Sequence, residues 1–271
     1  MYLSYKMSDP LNTAIMVLIG LFAGTMIGLS GASGAAIMVS LLYLVVGFSI
    51  HESIGVSLLA NAIASLSVFL VYYRNKNVDF SSCIWLAVGS IPGSQLGAFV
   101  GKLTPETQLG GVLGVAMVLI GILLWKKGVE REELVRKLSR ILRIKNPITK
   151  KLLSVAVGVW VGIMSGLFGA SGGMWFLIVL LLFGLPLHKS IGGAVLLMSM
   201  TAGCAAMAHH IYGNVNVMAG IAVGAGAVIS GNLSARFANR STERRLIKVI
   251  ALLISTLGML IILTKFVIPH L

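Results

Sequence analysis

The sequence predicts an all-α integral membrane protein built as two inverted five-segment repeats, with re-entrant or broken helices at a Gly-Ala-Ser-Gly motif in each. Three observations lead there. Of the 271 residues, 57% are hydrophobic and only 11% charged, whereas a soluble domain carries roughly 25% charged residues. The apolar residues fall into ten runs, five on either side of a basic stretch. A series of short motifs in the first half returns in the same order in the second, which marks an internal repeat.

The runs span 11–29, 35–49, 54–73, 81–101 and 108–125, then 152–168, 173–187, 190–211, 216–237 and 246–268. Uncharged runs of this length are helices, because lipid offers the backbone no partner and each segment has to close its own hydrogen bonds. At ~20 residues per crossing they use nearly the whole chain and leave no room for an extramembrane catalytic domain. Segments 35–49 and 173–187 are short for a full crossing. The opening MYLSYKMSDP lacks a small-residue cleavage site and reads as a short tail, not a removed signal. Cys83 and Cys204 sit in apolar runs and read as packing residues.

The repeat divides the chain into a first transmembrane half, 1–125, a basic linker, 126–151, and a second half, 152–271. Gly20-x3-Gly24-x3-Gly28-Leu29-x-Gly31-Ala32-Ser33-Gly34 recurs as Gly158-x3-Gly162-x3-Gly166-Leu167-x-Gly169-Ala170-Ser171-Gly172. His51-Glu52-Ser53-Ile54-Gly55 recurs as His188-Lys189-Ser190-Ile191-Gly192, Asn77-Val78-Asp79 as Asn214-Val215-Asn216, and Gln95-Leu96-x-Ala98 as Asn232-Leu233-x-Ala235.

Basic residues set the expected orientation, since cytoplasmic loops hold the excess of Lys and Arg. With 126–151 inside and the segments alternating outward, all of the 21 Lys and Arg except Lys6, Lys102 and Lys265 fall on the cytoplasmic side. The loop around Asn77 carries Arg74 and Lys76, whereas its counterpart around Asn214 carries His209 and His210. Counterparts therefore face opposite sides, the halves are inverted, and both termini lie outside. Inverted repeats are a common transporter architecture. The linker has helical spacing and i,i+4 charge pairs at Glu132/Arg136 and Glu133/Lys137, which suits a surface helix held by anionic lipid. The net charge of +13 is thus a topology signal and not a sign of nucleic-acid binding.

Gly20, Gly24 and Gly28, like Gly158, Gly162 and Gly166, share one helix face and suit close helix packing. The Gly-Ala-Ser-Gly clusters are different. Glycine costs ~1 kcal/mol against alanine in a helix, and serine favours capping geometry, so a helix is expected to break there. A break within the bilayer has to be buried in protein or line a cavity. The starts of the next segments, at Ala35 and Gly173, would then turn their partial positive charge toward the break, as in an anion site. The rival reading is a simple turn at the membrane surface. The expected substrate-binding set is Gly31, Ala32, Ser33, Gly34, Gly169, Ala170, Ser171 and Gly172, with amides from Gln95 and Asn232 and Trp175 as a wall.

Asn61, Ser65, Ser67 and Thr201 are the other polar groups within spans, and read as helix-to-helix hydrogen bonders. Acids are few: Asp9, Glu52, Asp79, Glu106, Glu130, Glu132, Glu133 and Glu243, none of them mid-span. His51, Asp79, His188, His209 and His210 fall near segment ends, where solvated or capping roles are expected, and where histidine titration could couple protons. No catalytic residue, metal site or cofactor is expected: nucleophile–base pairs and HExxH-type motifs are missing, and Gly28, Gly31 and Gly34 do not match the dinucleotide fingerprint.

The doubled glycine series with its Gly-Ala-Ser-Gly end, the doubled His-x-Ser-Ile-Gly and the doubled Asn-Val-Asp/Asn loop together resemble the TauE/SafE family of membrane transporters, also called sulfite exporters, over nearly the whole chain. That family more usually has a Gly-Gly-Gly run where this chain has Ala32-Ser33-Gly34 and Ala170-Ser171-Gly172-Gly173. The resemblance implies transport of sulfite, sulfonates or other small sulfur-containing or organic anions across the prokaryotic inner membrane. The expectation is therefore a secondary transporter working by alternating access, with an anion channel of the same fold as the alternative. Membrane lipid and a small anion are the expected partners, a homo-oligomer is open, and nucleic acid is not expected.

Overall fold

The structure, a computed structural model, describes residues 10–106, 108–109, 147–169 and 171–242. Among them the regular structure is helical: α1 (Pro10–Ser30), α2 (Ala35–Leu41) running into a π-helical turn (Leu42–Val46), α3 (Ile50–Arg74), α4 (Phe80–Leu103), α5 (Pro147–Phe168), α6 (Gly173–Leu182), α7 (Leu187–Ile211) and α8 (Val217–Arg240). Six of these are long and apolar enough to cross a membrane. The expected segments 108–125 and 246–268, nearly all of the linker 126–151, and both termini lie outside the described residues.

Helix starts follow capping chemistry. The Ser49 hydroxyl accepts from Glu52 N–H at 3.1 Å, which carries α3 back to Ile50, ahead of the expected start at 54. Asp79 accepts from Ser81 N–H at 3.2 Å at the head of α4, and Asn216 accepts from Ala219 N–H at 3.1 Å at the head of α8. The repeated Asn-Val-Asp/Asn loop is therefore an N-cap in both copies, where a short polar side chain satisfies an orphan amide.

Glycine sets the helix pairing. Carbons added at Gly20, Gly24 and Gly28 of α1 would strike the backbone of Val223, Ala227 and Gly231 on α8, in that order, so the two helices run parallel and touch backbone to backbone. Gly89, Gly93 and Gly97 of α4 face Val155, Val159 and Ile163 of α5 in the same way. With no hydrophobic drive between helices in lipid, such close approach is how dispersion contacts accumulate. The first long helix of each half thus packs on the last described helix of the other. The central helices α3 and α7 are antiparallel: Gly55, near the start of α3, fits under the Asn214 carbonyl beyond the end of α7, and Gly192, near the start of α7, under the Asn77 carbonyl beyond the end of α3.

The breaks fall at the motifs. Gly31 has φ +61, Gly169 φ +70 and Gly172 φ +71, backbone conformations that a Cβ would strain. Tyr72, near the end of α3, reaches the Gly28 carbonyl near the end of α1, so α1 and α3 run the same way and α2 runs back between them. The half-length α6 stands in the same relation to α5 and α7, because His209 near the end of α7 reaches the Gly166 carbonyl near the end of α5.

If the α4–α5 seam holds the two halves together, Gly162→Ala will press a methyl on the Ser90 carbonyl and lower the thermal midpoint of the purified protein. Gly203→Ala meets only the Ala62 methyl, at 3.9 Å, and should hold or raise the midpoint, since alanine is favoured over helical glycine by roughly 0.5–1 kcal/mol. The reverse order in differential scanning fluorimetry would remove the seam from the account.

Candidate functional site

The two breaks meet each other. Gly173, the first residue of α6, has no room for a Cβ because the Gly31 carbonyl, the Ser33 amide and the Met198 sulfur close on it. Asn61, eleven residues along α3 and fully buried, donates its side-chain amide to Ser33 Oγ at 3.3 Å and also to Ser171 Oγ. Ser171 in turn bonds Ser33. Ser171 and Asn61 are fully buried and Ser33 partly so, and the three form one polar cluster midway along α3.

Within the cluster the protons do not balance. Ser33 Oγ already accepts from Ala35 N–H at 3.0 Å as well as from Asn61 and Ser171. Whichever serine donates to the other, one hydroxyl proton is left over, and Asn61 Oδ1 is buried without a partner. Oxygen and nitrogen of an amide exchange places by a half turn. Turned, Asn61 would accept from the serines and leave its NH2 open. In either orientation the cluster keeps unused hydrogen-bonding capacity, which a buried site does not leave idle without cost.

Four of the expected backbone donors, at Gly31, Ala32, Ala35 and Gly169, are occupied. Gly31 N–H bonds Ile27 O at 2.9 Å, Ala32 N–H bonds Ser30 Oγ at 3.1 Å, and Gly169 N–H bonds Ser165 O at 2.9 Å. Ala35 N–H bonds Ser33 Oγ at 3.0 Å. Gly34 lies against the backbone of Ala23, and Gly172 combines its positive φ with contact on Val161. These two glycines are therefore required by the fold itself. Ala170 lies outside the described residues.

Three expected residues stand apart from the cluster. Gln95 is exposed and donates to the Cys204 carbonyl on α7 at 2.6 Å, while Asn232 donates to Ser67 on α3 at 2.8 Å. At the repeat offset that aligns His51 with His188, Ser67 aligns with Cys204, so these are the same strut in the two halves. Trp175 is 48% exposed and sets its ring edge-on to Trp160, with centroids 4.9 Å apart, on the outer surface. Asn61 is the residue that sequence reasoning assigned only to helix contact. The available signal was its repeat counterpart, Met198: a polar group at mid-span in one half only.

The ends of the bundle differ in charge. Arg74, Lys76, Lys150, Lys151, Lys189, Arg236 and Arg240 gather at the end where α3 and α8 finish, and Arg74, Asn75, Arg236 and Arg240 line a surface recess with Val71. Lys151 there lies 5.1 Å over the Trp85 ring and Lys150 4.4 Å over Phe183. Lys102 is at the opposite end, 4.6 Å over Tyr212. Partial burial works against the charge of Asp79, but hydrogen bonds from Ser81 and Ser82 and the nearby Lys189 ammonium outweigh it and hold the carboxyl below its usual range. His209, expected to be solvated, is fully buried because it bonds inward to Gly166.

Membrane-crossing helices, half-length helices meeting tip to tip, and a buried polar cluster at their contact define a multi-pass membrane transporter. The family model described as Sulfite exporter TauE/SafE matches residues 16–261, and the chain belongs to that family. It is 28% identical over 265 residues to the probable membrane transporter protein YunE of Bacillus subtilis (strain 168), covering 92% of this chain and 96% of the relative. It is also 28% identical over 243 residues to the probable membrane transporter protein YjnA of the same organism, covering 84% and 92%. These relatives are named as transporters, not as enzymes. No solved structure matches the chain.

Asp79 acts as a cap and not as a relay, as its uncharged counterpart Asn216 suggests. Asp79→Asn, which keeps the cap and loses only the charge, should therefore cost less in thermal unfolding than Asp79→Ala, which should cost about 1 kcal/mol at neutral pH. Because the folded carboxyl is held low, its stabilising charge is present above the ordinary carboxylate pKa and is lost as pH falls through the lowered value. The gap between wild type and Asp79→Ala should narrow on that descent, and a gap that widens would contradict the assignment.

Proposed function

We propose that the protein is a secondary transporter of small anions, with sulfite, sulfonates and other sulfur-containing organic anions as the class, working by alternating access. The observation that carries this reading is the cluster of Ser33, Ser171 and Asn61 where the two helix breaks touch, with a hydroxyl proton and one amide atom left without partners. An anion would take the amide NH2 of turned Asn61, whose oxygen then accepts the spare serine hydroxyl. A site of neutral donors binds weakly enough to release its cargo, since each neutral hydrogen bond contributes only about 0.5–1.5 kcal/mol.

The halves 1–125 and 152–271 act here as inverted repeats joined by the linker 126–151. Exchange of helix partners between halves supports this, as does the antiparallel run of α3 and α7. Rocking of one half against the other would uncover the central cluster from one side and then the other. The arginine recess at the basic end supports a cytoplasmic assignment for that end and would raise the local concentration of anions there. The inner membrane is the proposed location, with both termini outside.

Ser33→Ala and Ser171→Ala should each weaken sulfite binding to purified protein several-fold by calorimetry. Asn61→Met, which repeats the residue of the other half, should abolish binding while the protein still elutes as a monodisperse species. Unchanged affinity in all three would move the substrate elsewhere. For topology, a cysteine at Asn214 should react with an impermeant maleimide on intact cells, and one at Asn77 only after permeabilisation. Labelling of both from one side would end the inverted arrangement.

A further inference from the structure

Two buried side chains in matching positions make the same bond with different chemistry. Tyr72 donates its hydroxyl to the Gly28 carbonyl at 2.9 Å, and His209 sets Nε2 at 2.8 Å from the Gly166 carbonyl. The offset that pairs His51 with His188 pairs Tyr72 with His209, and Gly28 and Gly166 are the matching last members of the two glycine series. Both side chains have 0% exposure. Each ties the last turn before a break to the far end of the long helix in its own half.

They differ in what else the ring carries. A carbonyl acceptor keeps the proton of a neutral imidazole on Nε2, so Nδ1 is a bare lone pair. His209 Nδ1 is buried without a partner, and so is Nδ1 of His51, near the start of α3 at the same end of the bundle. Ser53 Oγ and Ser165 Oγ, at the same end of the molecule, are also buried and unpartnered. Among the described residues, every unpartnered buried polar atom except Asn61 Oδ1 therefore gathers at the end opposite the basic cluster. From there Ser53, Ser57 and Asn61 follow at i, i+4 and i+8 along α3, all fully buried, so that a polar stripe leads from this end to the central cluster.

We infer that His209 is a proton-binding latch that closes this end of the polar stripe when neutral and releases it when protonated. The neutral ring holds Gly166. A proton on Nδ1 creates a buried charge and a buried N–H with no acceptor, a state too costly to persist without water or an anion as partner. The ring has to swing out or recruit an anion, and either event loosens the last turn of α5 ahead of its break. A protonated imidazole also places a cation at this mouth of the stripe. Tyr72 has no ring nitrogen to take a proton and its phenol stays neutral over the physiological range, so the other half carries a fixed strut. The charged and titratable groups at this end, among the described residues, are His51 and Glu52 on α3, Lys102 ending α4, Glu106 beyond it, and His210 and Tyr212 at the end of α7; the α5 side presents the neutral Ser165.

The coupling to anion movement rests on the proposed function; the latch itself does not, and its test uses no substrate. Cys83 and Cys204 are replaced by alanine in the full chain, a cysteine is placed at Ser57, and its reaction with a soluble maleimide in nanodiscs is followed against pH, relative to a cysteine at Asn214. The relative rate should rise about tenfold as pH falls from 8 to 4.5, and stay low and flat in His209→Tyr, which puts the same strut in both halves. His209→Gln, which keeps a donor but cannot ionise, should also be flat and serves if the tyrosine variant does not fold. Ring-nitrogen NMR of labelled histidines should show one Nε2-protonated resonance that titrates in the same range and is missing from His209→Tyr. A pH-independent ratio in the parent, or an unchanged pH response in a folded His209 variant, overturns the inference. Failure of the parent protein to bind sulfite would instead count against the anion reading and leave the latch standing.

Discussion

Backbone-to-backbone contact at glycine is the constraint on which the rest of this structure depends. Two helices stop partway through an apolar slab, and the groups freed at each stop have to be covered by protein, since no water is there to do it. The cover comes from the other half. α8 lies on α1, α4 lies on α5, and both approaches are too close for any side chain larger than hydrogen at the seam. Because the seams join halves and not neighbours in sequence, neither half can bury its own break.

Motifs and several contacts recur in the two halves, and the proposed chemistry sits where they differ. Struts at Gln95–Cys204 and Asn232–Ser67 match, as do the glycine seams and the capped loops under Gly55 and Gly192. Asn61 has Met198 as its counterpart, and Tyr72 has His209. A two-fold scaffold with identical side chains would present the same face to both sides of the membrane. A single polar group at the centre and a single ionisable strut at one end break that equivalence, and a transporter with direction or coupling needs such a difference.

Charge is distributed in the complementary way. The basic residues stay at one end, partly laid over aromatic rings, while the opposite end has buried imidazoles and hydroxyls. A fixed cation in the centre would trap an anion, because a charge-assisted bond is roughly twice as strong as a neutral one. The described spans keep Lys and Arg out of the cluster, and the proposed cargo would meet full positive charge only at the mouths.

Much of this was legible in the residues alone. Hydrophobic runs, glycine spacing and the serine-bearing breaks are local properties: they set where a helix forms, which face is smooth and where it ends, and each is readable within a few turns. The sequence also marked Ser33 and Ser171 as the polar groups at the breaks. Only the tertiary structure decided that the two breaks touch, that Asn61 joins them, that Gln95, Asn232 and Trp175 stand outside their cluster, and that His209 points inward. Those outcomes depend on which helices cross and at what register. Register is settled by the whole set of glycine contacts together, and no single spacing along the chain encodes it.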